Sequence, residues 1–209
     1  MSPVLRNIPN ILTISRIILA PVFFILFINN YNYLALACFF FASVTDFLDG
    51  FLARKFNIVS KFGELYDPLA DKFLVFLGWL CIVIKPPFLD YKNELNSFSI
   101  NLAHLLNLSP DHIIFCILAF LLFRDLVATT LREEKFRKDQ VILKTNYMAK
   151  IKTSMLIICI HLYLLYQLAL PNLYEKYILW FFDFGLYLTL VFSLISLIDY
   201  INQYRSKNI

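Results

Sequence analysis

An all-α integral membrane protein with six transmembrane helices is the fold class this sequence predicts. Three observations carry that prediction. The 209 residues are 60% hydrophobic and 17% aromatic, with mean hydropathy +0.68. Only 16% are charged, against about 25% in a soluble domain. The apolar residues gather into six runs long enough, or nearly so, to cross about 30 Å of hydrocarbon: Ile8–Ile28, Tyr33–Ala53, Leu69–Ile84, His112–Leu131, Met148–Leu170 and Tyr177–Tyr200. No internal repeat or low-complexity tract divides them, so residues 1–209 are expected to form one membrane domain.

The first run follows Arg6 and continues through Pro21 to Phe27 without a small-residue cleavage site, which reads as a retained helix. The third is short and suffices if it tilts or begins upstream of Pro68. A long, nearly neutral connection, Lys85–Asp111, precedes the fourth. The net charge is only +4, but its placement is informative. With the N-terminus inside, 14 of the 19 Lys and Arg residues fall on the cytoplasmic side, as the positive-inside rule requires. Both termini are then cytoplasmic, in a cell (inner) membrane, and no nucleic-acid partner is expected. Lys135, Arg137 and Lys138 read as a solvated loop or as contacts to anionic head groups. Asp183 and Asp199 read as structural or helix-end charges. Cys38, Cys81, Cys116 and Cys159 lie in apolar runs without a Cys-x-x-Cys pair and read as small buried hydrophobes. His104, His112 and His161 share no zinc-ligand spacing.

The chemistry sits in one block. Asp46 and Asp49 are three apart, with Gly50, Ala53 and Arg54 following; Asp67 and Asp71 are four apart, with Gly63 one turn earlier. Carboxylates beside a membrane span are costly and mark function by default. Two helices joined by a short cytoplasmic turn would bring the four acids together. Oxygen donors in that number favour hard cations such as Mg²⁺ or Mn²⁺. Such ions would clamp a pyrophosphate that bare carboxylates repel. Small residues at 50, 53 and 63 admit a bulky ligand, Arg54 offers a fork for phosphate, and one acid could act as a general base. Structural ion pairs with Arg54, Lys55 and Lys72 are the plain alternative.

The pattern D-x2-D-G-x2-A-R-x8-G-x3-D-x3-D, filled by Asp46, Asp49, Gly50, Ala53, Arg54, Gly63, Asp67 and Asp71, resembles the signature of the CDP-alcohol phosphatidyltransferases. The resemblance implies that Asp46, Asp49, Asp67 and Asp71 hold the metal and that Asp71 deprotonates an acceptor alcohol. The alkoxide then attacks the lipid-side phosphorus and CMP leaves. Asp46, Asp49, Gly50, Ala53, Arg54, Gly63 and Asp67 would bind the CDP-lipid, and the family implies a homodimer in the lipid bilayer.

Further segments resemble the members that act on CDP-diacylglycerol and glycerol 3-phosphate. They are the opening Asn7–Arg16, Arg124-Asp125, Leu131-Arg132-Glu133 and Ala149–Thr153, with Asp125 standing where Glu is usual and Ala149 where Gly is usual. They imply Asn10, Thr13 and Arg16 as substrate contacts. Arg124, Arg132, Lys150 and Lys152 form a basic set suited to an acceptor that brings its own phosphate. Positive-inside bias alone would also place most of them there, and Arg124 could pair with Asp125. Other acceptors (inositol phosphate, phosphatidylglycerol or serine) keep the same chemistry. A cation transporter is the alternative of a different class, but would spread its acids through the membrane depth.

Overall fold

The computed structural model describes residues 3–56, 61–88, 97–140, 147–168 and 172–205, with the side chains of 3–9, 46–56, 61–65, 67–68, 139 and 172–173 outside that description. Among the described residues the regular elements are α-helices: α1 (Pro3–Ile28), α2 (Asn32–Phe56), α3 (Lys61–Ile84), α4 (Phe98–Leu106), α5 (Pro110–Asp139), α6 (Tyr147–Tyr166) and α7 (Asn172–Arg205). Among the described residues, four of these helices contain stretches long and apolar enough to cross a membrane, namely Asn10–Ile28, Pro110–Lys138, Tyr147–Tyr166 and Tyr174–Arg205, and the described part of α2, Asn32–Thr45, is apolar as well. The chain is a multi-pass membrane protein.

Helix α3 begins at Lys61, upstream of Pro68, one of the two ways the short third run could suffice; acids and one proline end a hydropathy window without ending a helix, and Pro68 costs its turn one N–H donor. Two elements differ from the sequence reading. Helix α4 lies within the stretch read as a connection, and its nine residues are too few to register as a span. Helix α5 continues to Asp139, so Lys135, Arg137 and Lys138 sit on a helix and not on a loop. Lys135 is buried and donates to the Tyr204 carbonyl at 3.2 Å, closing the last turn of α7.

The chain forms two compact units, residues 1–85 with 160–175, and 86–159 with 176–209. In the first, α1 packs along α2 and α3. Thr13, Arg16, Ala20, Phe23 and Phe27 recur at alternating spacings of three and four, and all are fully buried. Ile11, Ile14, Ile18, Val22 and Ile25 occupy the other faces and are exposed, as expected where lipid replaces water. Phe23 meets Phe39 of α2 at 5.1 Å between centroids, and Phe39 meets His161 of α6 at 4.8 Å.

The helix ends of this unit are tied to one another. Asn30 takes the left-handed conformation after α1 (φ 64°), which Asn tolerates better than most side-chain-bearing residues. Lys85 donates to the Phe27 carbonyl at 3.1 Å and to Asn30 Oδ1 at 2.7 Å, where the α1 dipole is negative. The Tyr163 hydroxyl lies 3.0 Å from the Cys81 carbonyl and 2.8 Å from that of Lys85, so it serves the end of α3.

In the second unit, α5 and α7 run parallel. Arg124 bonds to Ser193 and Lys135 to Tyr204, both at a sequence offset of 69. Gly185, Thr189, Ser193 and Ser196 give α7 a buried face of small residues that lets helices approach closely. A Cβ on Gly185 would lie 2.8 Å from Cys159 Sγ of α6.

In the first unit, a Cβ on Gly78 of α3 would lie 2.8 and 2.9 Å from two carbons of the buried Ile160 side chain. Gly78→Val should therefore cost about 1–3 kcal/mol through overpacking, read as a lower Tm in detergent. Adding Ile160→Ala should restore part of it. An unchanged Tm for the single variant would show that the two helices do not meet there.

Candidate active site

The backbone of the acidic block is helical throughout its described parts. Asp46, Asp49, Gly50, Ala53 and Arg54 lie on the last turns of α2, and Gly63, Asp67 and Asp71 on the first half of α3. The side chains of Asp46, Asp49, Gly50, Ala53, Arg54, Gly63 and Asp67 lie outside the described residues. Asp71 is described, and its side chain is 41% exposed.

Asp71 is held from α1. Arg16 Nη1 donates to Asp71 Oδ1, and the guanidinium is fully buried. Thr13, also fully buried, lies one turn before Arg16, and the half-buried Asn10 one turn before that, so the three share one stripe of α1. Sequence reading gave these residues as substrate contacts; the geometry gives Arg16 a definite role as the group that orients the Asp71 carboxylate. The heptad-like spacing of α1 signals only that Arg16 is in line with core positions, where an arginine needs an acid, and does not say which acid.

The second unit holds the basic set. Arg124 is buried on α5; its Nε donates to the Ser193 carbonyl at 3.1 Å and its Nη1 to Asp125 Oδ1 at 2.9 Å. Lys152 is buried on α6 and donates to both Asp125 oxygens, at 2.7 Å for Oδ2. Asp125 thus bridges two cations. Arg132 stands two turns after Arg124, with Ala128 between them, and the fully buried Tyr200 ring fills the gap. The guanidinium carbons lie 5.6 Å (Arg124) and 4.7 Å (Arg132) from the ring centre, and Arg132 Nη2 donates to the Tyr200 hydroxyl. Ala149 packs on the same Ala128–Tyr200 cluster. Lys150 is exposed on α6, apart from these bonds.

Sequence reading missed Tyr200 and the bridging role of Asp125. The Arg-x3-Ala-x3-Arg stripe was the available signal, since a small residue between two arginines on one helix face makes room for an aromatic ring. Arg124 Nη2 and Arg132 Nε are buried and have no hydrogen-bond partner among the described residues. An oxyanion would satisfy such donors.

Comparison with known proteins places the chain in a class. The family described as CDP-alcohol phosphatidyltransferase matches residues 6–195. The chain belongs to that family. A Rickettsia typhi protein named CDP-diacylglycerol–glycerol-3-phosphate 3-phosphatidyltransferase is 51% identical over 74 residues, which are 34% of this chain and 42% of that one. The match thus spans about two fifths of that relative's length. A Wigglesworthia glossinidia brevipalpis protein of the same name is 30% identical over 186 residues, 84% of this chain and 89% of its own. A Schizosaccharomyces pombe protein, named as a fusion of cardiolipin synthase (CMP-forming) and a mitochondrial hydrolase, is 40% identical over 79 residues, 38% of this chain and 13% of its own.

Asp125→Ala leaves Arg124 and Lys152 facing each other without the carboxylate between them. It should lower stability by about 2 kcal/mol, less than breaking a fully buried pair costs, because Asp125 is itself partly exposed. Asp125→Glu keeps the charge and should stay within about 1 kcal/mol of the parent. Thermal unfolding in detergent reads both, and equal losses for Ala and Glu would show that shape, not charge, matters at this position.

Proposed function

We propose that this protein transfers the phosphatidyl group of CDP-diacylglycerol to the hydroxyl of glycerol 3-phosphate, giving phosphatidylglycerophosphate and CMP. The observation that carries the chemistry is the complete acidic motif from Asp46 to Asp71 on α2 and α3, in a chain of this family. The name of the Wigglesworthia relative, which matches over most of both chains, supports the acceptor.

The donor set is four carboxylates, with no thiolate or imidazole in the motif, which fits a hard cation; we assign Asp46, Asp49, Asp67 and Asp71 as ligands of Mg²⁺ or Mn²⁺. When bound, the metal would neutralise the pyrophosphate and polarise the phosphoryl oxygens. Asp71 takes the proton of the acceptor hydroxyl, and Arg16 keeps its carboxylate oriented for that transfer. Gly50, Ala53 and Gly63, being small, would admit the CDP-lipid, and Arg54 would pair with its phosphate.

In the basic set, Arg124, Arg132 and Lys152 offset by Asp125 leave two positive charges, the balance a phosphate monoester needs. Arg124 and Arg132 supply the inner donors, and the exposed Lys150 screens the phosphate from outside. The charge distribution supports an inner-membrane protein with cytoplasmic termini, which we read as a homodimer. Phosphatidylglycerol is the second acceptor to consider, because of the cardiolipin synthase relative.

The test is CMP release from CDP-diacylglycerol by the full chain in vesicles, with each acceptor offered in turn. Glycerol 3-phosphate should support turnover, a chelator should abolish it, and Mg²⁺ or Mn²⁺ should restore it. Asp71→Asn should lower kcat by about a hundred- to ten-thousandfold while CDP-lipid binding persists. Turnover with another alcohol and none with glycerol 3-phosphate would overturn the acceptor. Metal-dependent ion flux without CMP release from any alcohol would overturn the enzyme class in favour of transport.

A further inference from the structure

Helix α4 presents three faces of different chemistry. Ser99, Ile100 and Ala103 are buried against the protein. Asn101 and His104 are exposed and polar. Phe98, Leu102, Leu105 and Leu106 form the third face, within a stripe about 100° wide at 100° per residue. Leu102 is half-buried, while Phe98, Leu106 and above all Leu105, at 79%, are exposed. Leu108, just after the helix, is exposed too. No Asp, Glu, Lys or Arg occurs between Phe98 and Leu108.

The helix is anchored at a definite level along α5 and α7. Asp183 of α7 is fully buried and accepts from the Ser99 backbone N–H at 3.0 Å and from the Ser99 hydroxyl. It therefore caps the first turn of α4 beside the Ser97 N-cap. The α5–α7 offset of 69 sets Asp183 level with Ile114, four residues or about 6 Å along the axis from the start of α5. At its other end, α4 closes with Asn107 in the left-handed conformation and reaches Pro110, the first residue of a membrane-crossing helix, within three residues. Phe98 packs on Phe184 and Tyr187 of α7, and Trp180 stacks on Phe184 at 5.4 Å. Trp and Tyr gather at the boundary between lipid and water.

We infer that α4 is an interfacial helix whose Phe98–Leu102–Leu105–Leu106 face inserts into phospholipid at the boundary of head groups and acyl chains, at the end of the bilayer where α5 begins. Phospholipid fits because Phe98 of this face packs on the exposed Phe184 of the membrane-crossing α7, and Phe181 of α7 and Phe115 of α5 are exposed apolar side chains as well. The polar Asn101–His104 face then meets water, and the depth of Asp183 matches the roughly 5–10 Å to which such helices sink. Asp183, which the transfer chemistry does not use, is thereby given a task.

The test is site-directed fluorescence on the full chain in phosphatidylcholine–phosphatidylglycerol vesicles. Native cysteines are replaced, and an environment-sensitive probe is attached at Leu105→Cys or at Asn101→Cys. The Leu105 probe should lose most of its emission to a nitroxide placed near the top of the lipid chains and be indifferent to a water-soluble quencher. The Asn101 probe should show the reverse. Water-like quenching at both positions would overturn the inference, as would protection of the Leu105 probe from both quenchers with cross-linking of Leu105→Cys between two copies, which would make the occupant a second chain.

Discussion

A charged or polar group surrounded by hydrocarbon has no water to turn to, so it must find its partner inside the protein. That constraint organises most of the specific bonding described above. The buried Arg16 is met by Asp71, the buried Arg124 and Lys152 by Asp125, and the buried Asp183 by the first turn of α4. The same demand at helix ends brings Lys85 to the last carbonyls of α1 and Tyr163 to those of α3. Burial of apolar surface cannot by itself select one helix arrangement in lipid, because the outer faces are equally apolar. Ile11, Ile14 and Ile18 on the outside of α1 are no less hydrophobic than the Phe residues within. What distinguishes inside from outside is shape, small residues and these polar pairs.

This explains which parts of the fold were legible in the sequence. Helical class and membrane residence follow from hydropathy, which is a bulk property. Helix limits follow from hydrogen bonding and caps, which hydropathy does not sense. Hence α3 could begin among Asp, Glu and Lys residues, and α5 could run past its apolar segment into Lys138. Helix α4 escaped because it neither spans nor alternates; its identity rests on Ser97, Asn107 and a carboxylate distant in the chain, Asp183.

The site divides in the same way. The acidic motif was legible because its eight fixed positions lie within one short stretch, so spacing alone holds the information. The pairing of Asp71 with Arg16 was not, since 55 residues separate them and only the packing of α1 on α3 brings them together. Arg124 was read both as a phosphate ligand and as the partner of Asp125. The structure shows the ion pair, and it leaves one guanidinium nitrogen of Arg124 with no hydrogen-bond partner among the described residues, so the two readings are compatible. The Arg-x3-Ala-x3-Arg stripe makes room for an aromatic ring but does not single out Tyr200, because a tyrosine near a helix end has many ordinary reasons to be there.

Where the cation is buried, as at Asp71 and Asp125, the acid is the accessible member of the pair. Asp71 and Asp125 are about two-fifths exposed, while Arg16, Arg124 and Lys152 are buried. Long cationic side chains can lay their stems along apolar neighbours, whereas a short carboxylate has little to bury. The consequence differs between the pairs. At Asp71 it presents an oriented acid to whatever approaches, which is what proton abstraction requires. At Asp125 it places a negative charge in front of Lys152 and largely cancels it. In the proposed acceptor site the attraction for an anion would come instead from Arg124 and Arg132 around Tyr200, whose aromatic ring holds both guanidinium groups without neutralising either. A lysine is a natural choice where charge alone is needed, and two arginines on a ring where planar donors must be kept in register for a phosphate.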